Sequence, residues 1–356
     1  MLQETLQHVI TRDITKQEPV EIASHIPLQD GGSLVGYFDP NNLFPDAPFV
    51  SVPRDQLKEI VDSVRKSIKQ ILPDAAEDKG GMYAFTGKGS EIFQKAGLAV
   101  ARILQNREIV RIPDSKPERN ALGQLLVDSL VNHQGKLIFV VPVCPDYASD
   151  RGSLGGSLSA EAKAGIAGLK AAVDSFRSAG FDPRGVLLIA NTEDDMSEII
   201  SYSAKGSTRY YQDQCLSSVK EAQHYFDKEP AITVGTFTDF MGDSFRTGQY
   251  DFEKQIRKTM AQDVKFEERV RKIGNDRKDR HRGILNRSEE QYELTVRYLA
   301  QYASLGKLLR EVTTPVIALN YSTPNRVYFN PHLIHESLGD KSDNVIPIFG
   351  TVRSQS

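Results

Sequence analysis

Tryptophan is absent from this chain of 356 residues, and cysteine occurs only at Cys144 and Cys215. Two cysteines so far apart argue against a disulfide scaffold and against a cysteine-built zinc site, and make a reducing cytoplasm the expected compartment. Long hydrophobic runs are missing too. No stretch reaches the ~20 apolar residues that a membrane helix needs, so no membrane partner is expected. The opening Met1-Leu2-Gln3-Glu4-Thr5-Leu6 has no basic start and no apolar core, so it does not read as a secretory signal. An excess of one charge is also lacking. The formal net charge is -3, and bulk electrostatics therefore favour neither nucleic acid nor an anionic membrane. Neither H-E-x-x-H nor a G-x-S-x-G elbow occurs, and the seven histidines show no ligand spacing.

The most informative segment is Lys136-Leu-Ile-Phe-Val-Val-Pro-Val-Cys-Pro-Asp146-Tyr147. An unbroken apolar run reads as a strand covered on both faces of a parallel sheet. Gly185-Val-Leu-Leu-Ile-Ala-Asn191 is a second such run. Between them lies a small-residue helix with Ala160, Ala162, Ala164, Ile166, Leu169, Ala172, Val173 and Phe176 at helical spacing. Strand, helix, strand at these lengths is a right-handed parallel crossover. Pro315-Val-Ile-Ala-Leu-Asn320 reads as the last strand, and 232–237 as a further strand or part of a second layer.

Residues 1–52 read as an irregular arm or lid, rich in glycine and proline turns. Helices are expected over 54–72, 91–105 and 117–131, with a short strand at 82–86. The remainder, 53–356, reads as one Rossmann-like α/β domain, three-layered with a mostly parallel sheet. It carries a charged helical elaboration over about 238–310, in which Ser288-Glu-Glu-Gln291 is a capping-box signature.

Open α/β sheets bind ligands just beyond the carboxyl ends of their strands. That rule selects the candidate residues. Asp146 and Tyr147 follow the first buried strand. Glu193 and Asp195 follow the second, where carboxylates either orient a hydroxyl, hold Mg²⁺ or simply start the next helix. Asn320 opens the polar turn after the last strand. Cys144 has no local base, and reads as a small buried hydrophobe. Lys88 and Ser90, in Thr86-Gly-Lys-Gly-Ser90 ahead of a helix, form a phosphate-binding candidate or a plain glycine turn. Arg282, Arg287 and Arg297 suit one anionic group better than a polyanion track, because acids interleave with the basic cluster around them.

The order of these pieces resembles the isocyanide (isonitrile) synthase family of pyoverdine and dityrosine biosynthesis, over roughly the C-terminal two-thirds of the chain. The matching positions are Phe139 to Asp146, Ala160-Glu161-Ala162, Leu187 to Asp195, Arg282 to Arg297 and Ala318 to Pro324. The chain departs from that family in lacking its lysine after the proline turn and its Ser-Ile-His-Pro-like closing motif. Cyclodipeptide synthases, which share a Rossmann-type fold, are a more distant comparison, without a clear nucleophilic serine motif here.

The resemblance implies a biosynthetic transferase or synthase condensing or transferring at an amino group. The expectation is a small amino-acid-like substrate with a phosphorylated co-substrate and no cofactor. Asp146 and Glu193 would orient or deprotonate the substrate, Tyr147 and Asn320 would read its polar edge, and the arginines would bind the anion. The alternatives are a nucleotide-sugar transferase with Glu193 and Asp195 on Mg²⁺, and a non-catalytic metabolite- or RNA-binding protein.

Overall fold

The computed structural model describes residues 20–21, 26–27, 33–34, 51–52, 54–79, 82–85, 87–105, 116–143, 158, 160–190, 208–277, 288–322 and 345–351. Within 1–52 these are two short antiparallel pairs. β1 (Val20–Glu21) joins β4 (Ser51–Val52), and β2 (Ile26–Pro27) joins β3 (Ser33–Leu34). The chain divides into two compact units, Met1–Ile138 with Ala171–Arg184, and Phe139–Lys170 with Gly185–Ser356.

Among its described residues the first unit holds three whole helices, α1 (Arg54–Ile71), α2 (Lys88–Gln105) and α3 (Lys116–Asn132). Val64 and Ile68 of α1 are buried with Phe93, Ala96 and Ala99 of α2 and Leu122, Leu125 and Leu126 of α3. These positions recur every three or four residues, so each helix turns one apolar stripe inward. Between α1 and α2, β5 (Ala76–Lys79) and β6 (Met82–Phe85) form an antiparallel ribbon. The strand expected at 82–86 is therefore present, but in a two-stranded sheet of its own.

The principal sheet has five strands: β7 (Lys136–Val143), β8 (Asp182–Ile189), β9 (Ile232–Thr236), β10 (Val316–Ser322) and β11 (Val345–Thr351). Their spatial order is β11-β10-β7-β8-β9. The Asp182 amide donates to the Gly135 carbonyl and the Ala190 amide to the Val143 carbonyl, so β7 and β8 run the same way in constant register. β8 with β9, and β10 with β11, are parallel as well. The sheet is the mostly parallel, Rossmann-like one expected. In β7, Phe139 to Val143 are all buried, which is why that run shows no polar alternation.

Helix α4 (Ala160–Ser178) connects β7 to β8, and α5 (Thr208–Tyr225) leads to β9. The apolar α4 positions expected from the sequence are buried from Ala162 to Phe176.

Among the described residues three helices then separate β9 from β10: α6 (Phe237–Gln262), α7 (Val264–Arg277) and α8 (Ser288–Glu311). They are the expected helical elaboration. Thr236, the last residue of β9, caps α6. Its hydroxyl accepts from the Asp239 amide while the Asp239 carboxylate accepts from the Thr236 amide. One turn later the helix breaks at Gly242, whose φ of 52° and ψ of -148° suit glycine alone. Beyond the break α6 packs antiparallel on α8. Arg257 faces Glu293, Glu253 faces Arg297, Met260 faces Tyr292 and Gly248 faces Ser304. As one number rises the other falls by nearly the same amount, which fixes direction and register together. Phe252, Ile256, Met260, Phe266, Val270, Val296, Leu299, Ala300 and Ala303 form the apolar core of α6, α7 and α8.

Two expectations are corrected here. Asn320 does not open a turn after the strand; β10 continues through Tyr321 to Ser322, in register with β11. Nor is that strand the last, because β11 follows it and forms an edge of the sheet.

Candidate functional site

The strand order reverses once. From β7 the chain proceeds through β8 to β9 on one side, then returns to place β10 on the other side of β7, with β11 beyond. At such a reversal the crossovers depart to opposite faces of the sheet, which leaves a crevice outside the carboxyl ends of the two flanking strands. Here those strands are β7 and β10.

The structure describes the sequence candidates to different degrees. β7 ends at Val143, and the chain then runs into Asp146 and Tyr147, which lie outside the described residues. β8 ends at Ile189 with Ala190 buried behind it, and Glu193 and Asp195 also lie outside the described residues. Asn320 is placed in β10, two residues before its carboxyl end, opposite Phe349 of β11. Asn320 thus lies near the carboxyl end of β10, the strand that neighbours β7 across the reversal.

Lys88 and Ser90 belong to the other unit. They sit in the first turn of α2, after Gly87 with φ of 53°, and Lys88 is exposed. β6, which precedes them, pairs with β5 and not with the principal sheet.

Arg282 and Arg287 lie outside the described residues, whereas Arg297 is well placed in α8. An arginine beside a core stripe calls for an anionic partner, and Arg297 Nε lies 3.6 Å from Glu253 Oε1 of α6. One turn away along both helices, Arg257 grips Glu293 with two parallel contacts, Nη1 to Oε1 at 3.0 Å and Nη2 to Oε2 at 2.5 Å. The Arg257 hydrogen bonds hold the Glu293 carboxyl below its ordinary pKa against the opposing effect of burial, and Arg297 adds to the lowering. Glu293 in turn raises the Arg257 guanidinium. The α6–α8 seam is therefore an alternating quartet of charges, with acids and bases four residues apart on each helix.

Sequence reasoning missed three features of this region. The Thr236 cap was legible as Thr-x-x-Asp. Glu253 was legible only as one acid among many. The contact of Glu221 in α5 with the Leu158 amide, 3.0 Å across 63 residues, has no local signal. Among the described residues no group of three or more His, Cys, Asp or Glu side chains is arranged to hold a metal ion. No helix among them is long and apolar enough to cross a membrane.

No family model matches the chain, and no curated protein matches it. Solved structures similar to it include AlbC, a cyclodipeptide synthase from Streptomyces noursei, at 11% identity and a TM-score of 0.37, covering 60% of this chain and 95% of that one. A cyclodipeptide synthase (CDPS) from Staphylococcus haemolyticus gives 12% identity and a TM-score of 0.37, over 60% and 90% of the two chains. A Mycobacterium tuberculosis protein, described as relating cyclodipeptide synthetases to type I tRNA-synthetases, gives 11% and 0.34 over 60% and 84%. These neighbours correct the resemblance drawn from the sequence, because they are cyclodipeptide synthases and not isocyanide synthases.

Proposed function

We propose that this chain is a biosynthetic synthase or transferase acting on a small amino-acid-like metabolite with a phosphorylated co-substrate. Both would bind at the carboxyl edge between β7 and β10. The reversal of strand order there is the observation that carries the reading. In it, Asp146 and Glu193 orient or deprotonate the amino-acid-like substrate, and Tyr147 and Asn320 read its polar groups. Arg282 and Arg287 take the phosphate, since a guanidinium fork matches its oxygens. Arg297, engaged with Glu253, braces the helix that follows them.

A thermal-shift panel of amino acids, sugar phosphates, nucleotides and inorganic pyrophosphate tests the reading. A ligand at one hundred times its Kd stabilises the folded state by about 2.7 kcal/mol, a shift of a few degrees. A phosphorylated compound should give such a shift in the natural chain and lose it in Arg282→Ala with Arg287→Ala. A shift that survives both replacements, or a panel without any shift, would falsify this assignment.

One observation favours a second reading, a nucleic-acid partner. Residues 254–287 hold twelve Lys or Arg against five Asp or Glu, in a chain whose net charge is -3. On α7, Lys265, Arg269 and Lys272 recur at i, i+4 and i+7 and are exposed, while Phe266 and Val270 are buried. Three phosphate contacts to single-stranded RNA correspond to a slope of about -2 in log K against log salt. Replacing all three residues by Glu should abolish that slope in fluorescence anisotropy. An unchanged slope removes the reading.

A further inference from the structure

Five large apolar side chains are exposed among the described residues: Leu216, Tyr225, Phe240, Tyr250 and Val264. Single exposed apolar residues are ordinary. Phe240 differs from the others in where it stands and in how it is held. Leu216 and Tyr225 lie along α5, and Val264 opens α7. Tyr250 lies under the Lys254 ammonium, 4.2 Å from its ring centre. Phe240 alone comes directly off a strand of the principal sheet, four residues past Thr236 at the end of β9. That is the carboxyl side of the sheet, where open α/β folds take their ligands.

Its place is fixed from both sides. The capping box between Thr236 and Asp239 locks the first turn of α6, and the break at Gly242 ends that piece of helix two residues after Phe240. On the strand, Gly235 leaves room for the ring. A Cβ at Gly235 would lie 2.8 Å from Phe240 Cε2 and 3.3 Å from Cδ2. The first distance is about 1 Å inside ordinary contact. Phe237, one turn earlier, is 1% exposed and sets its ring T-shaped to Tyr302 of α8, with centroids 5.6 Å apart. Phe240 is 44% exposed, and no second ring or cation covers it among the described residues.

We propose that Phe240, seated on Gly235, is a binding residue for a planar ring, either the base of a nucleotide or the side chain of an aromatic amino acid. Aromatic rings pair by offset stacking or edge to face. β9 lies two strands from β7, about 10 Å away, a span that one ligand carrying both a phosphate and a ring covers. Which compound brings the ring rests on the function proposed above; the ring contact itself does not.

The chain holds no tryptophan, so Phe240→Trp makes a single fluorescent reporter at this place. Its emission should change saturably with adenosine, guanosine, cytidine or uridine monophosphate, or with phenylalanine, and not with inorganic pyrophosphate. The nucleotides and the amino acid separate the two sources of the ring. The thermal shift that the same compound gives the natural chain reads its affinity without the reporter. Phe240→Ala should weaken that affinity about tenfold, and Phe240→Tyr, which keeps the ring, should retain it. Gly235→Ala leaves Phe240 in the chain but unseats its ring, and should weaken the same affinity. An affinity unchanged in Phe240→Ala overturns the proposal, and so does the failure of every ring-bearing compound to shift the natural chain. A pyrophosphate shift equal in the natural chain and in Phe240→Ala, with no ring-bearing compound bound, leaves the phosphorylated co-substrate standing and removes the ring contact. A ring-bearing compound lost in Phe240→Ala, in a chain that ignores pyrophosphate, does the reverse.

Discussion

Gly248→Ala isolates one atom of the α6–α8 seam. A Cβ built at Gly248 would lie 2.5 Å from Ser304 Oγ and 3.4 Å from Ser304 Cβ. The first distance is about 1 Å inside van der Waals contact and the second is ordinary. Two effects oppose. Alanine exceeds glycine in helix propensity by about 1 kcal/mol. Forcing a methyl into a filled interface costs about 1–3 kcal/mol. Ser304 is 1% exposed, so its hydroxyl has little room to turn away. The clash should therefore win, with a net loss of up to about 2 kcal/mol. Removing the hydroxyl first, in Ser304→Ala, leaves only the 3.4 Å contact. In that background Gly248→Ala should stabilise by about 0.5–1 kcal/mol, a coupling of about 2 kcal/mol between the two sites. Urea denaturation of the four proteins, at constant m value, measures each corner. If Gly248→Ala stabilises the natural chain, or costs the same in both backgrounds, the proposed close approach of α6 and α8 is wrong.

The other predictions concern the charges beside that seam and the cap of α6. Because Glu293 has a lowered folded pKa, its contribution is complete above the usual carboxylate value near 4.3 and disappears as pH falls through the lowered one. The melting-temperature gap between the natural chain and Glu293→Gln should accordingly close on acidification below that window, and narrow with added salt at neutral pH. Arg297→Ala strands the partly buried Glu253 and should cost about 1–3 kcal/mol in chemical denaturation. A companion Glu253→Gln should recover part of it. Thr236→Ala removes the cap of α6 and should cost about 1 kcal/mol by the same assay.

The legibility of this chain depends on how local each signal is. β7 and β8 are evident because a strand covered on both faces must be apolar throughout, and α4 because its small residues recur at helical spacing. The limits of β10 are less evident. Asn320 and Tyr321 are polar enough to suggest a turn, yet pairing with β11 keeps them extended. β11 itself escapes a reading by pattern because Pro347 and Gly350 interrupt Val345-Ile-Pro-Ile-Phe-Gly-Thr351, a composition an edge strand tolerates and a central one does not. For Arg297 the need for an anion could be inferred from the adjoining core stripe. Its partner, 44 positions earlier, could not, since only the antiparallel register of α6 and α8 selects Glu253 from its acidic neighbours. The site proposed between β7 and β10 follows from strand order, which depends on where the chain goes after β9, and no residue between 237 and 311 announces that return.

The break at Gly242 makes α6 a lever. Five residues lie on the sheet side of it, and twenty, through Gln262, lie beyond it. Twenty helical residues make a rod of about 30 Å, so each 10° of rotation about that one hinge would carry the far tip roughly 5 Å. The aim of the arm, with Arg257 in its far half, therefore has to satisfy both its packing on α8 and a pair of torsion angles that a residue with a side chain resists.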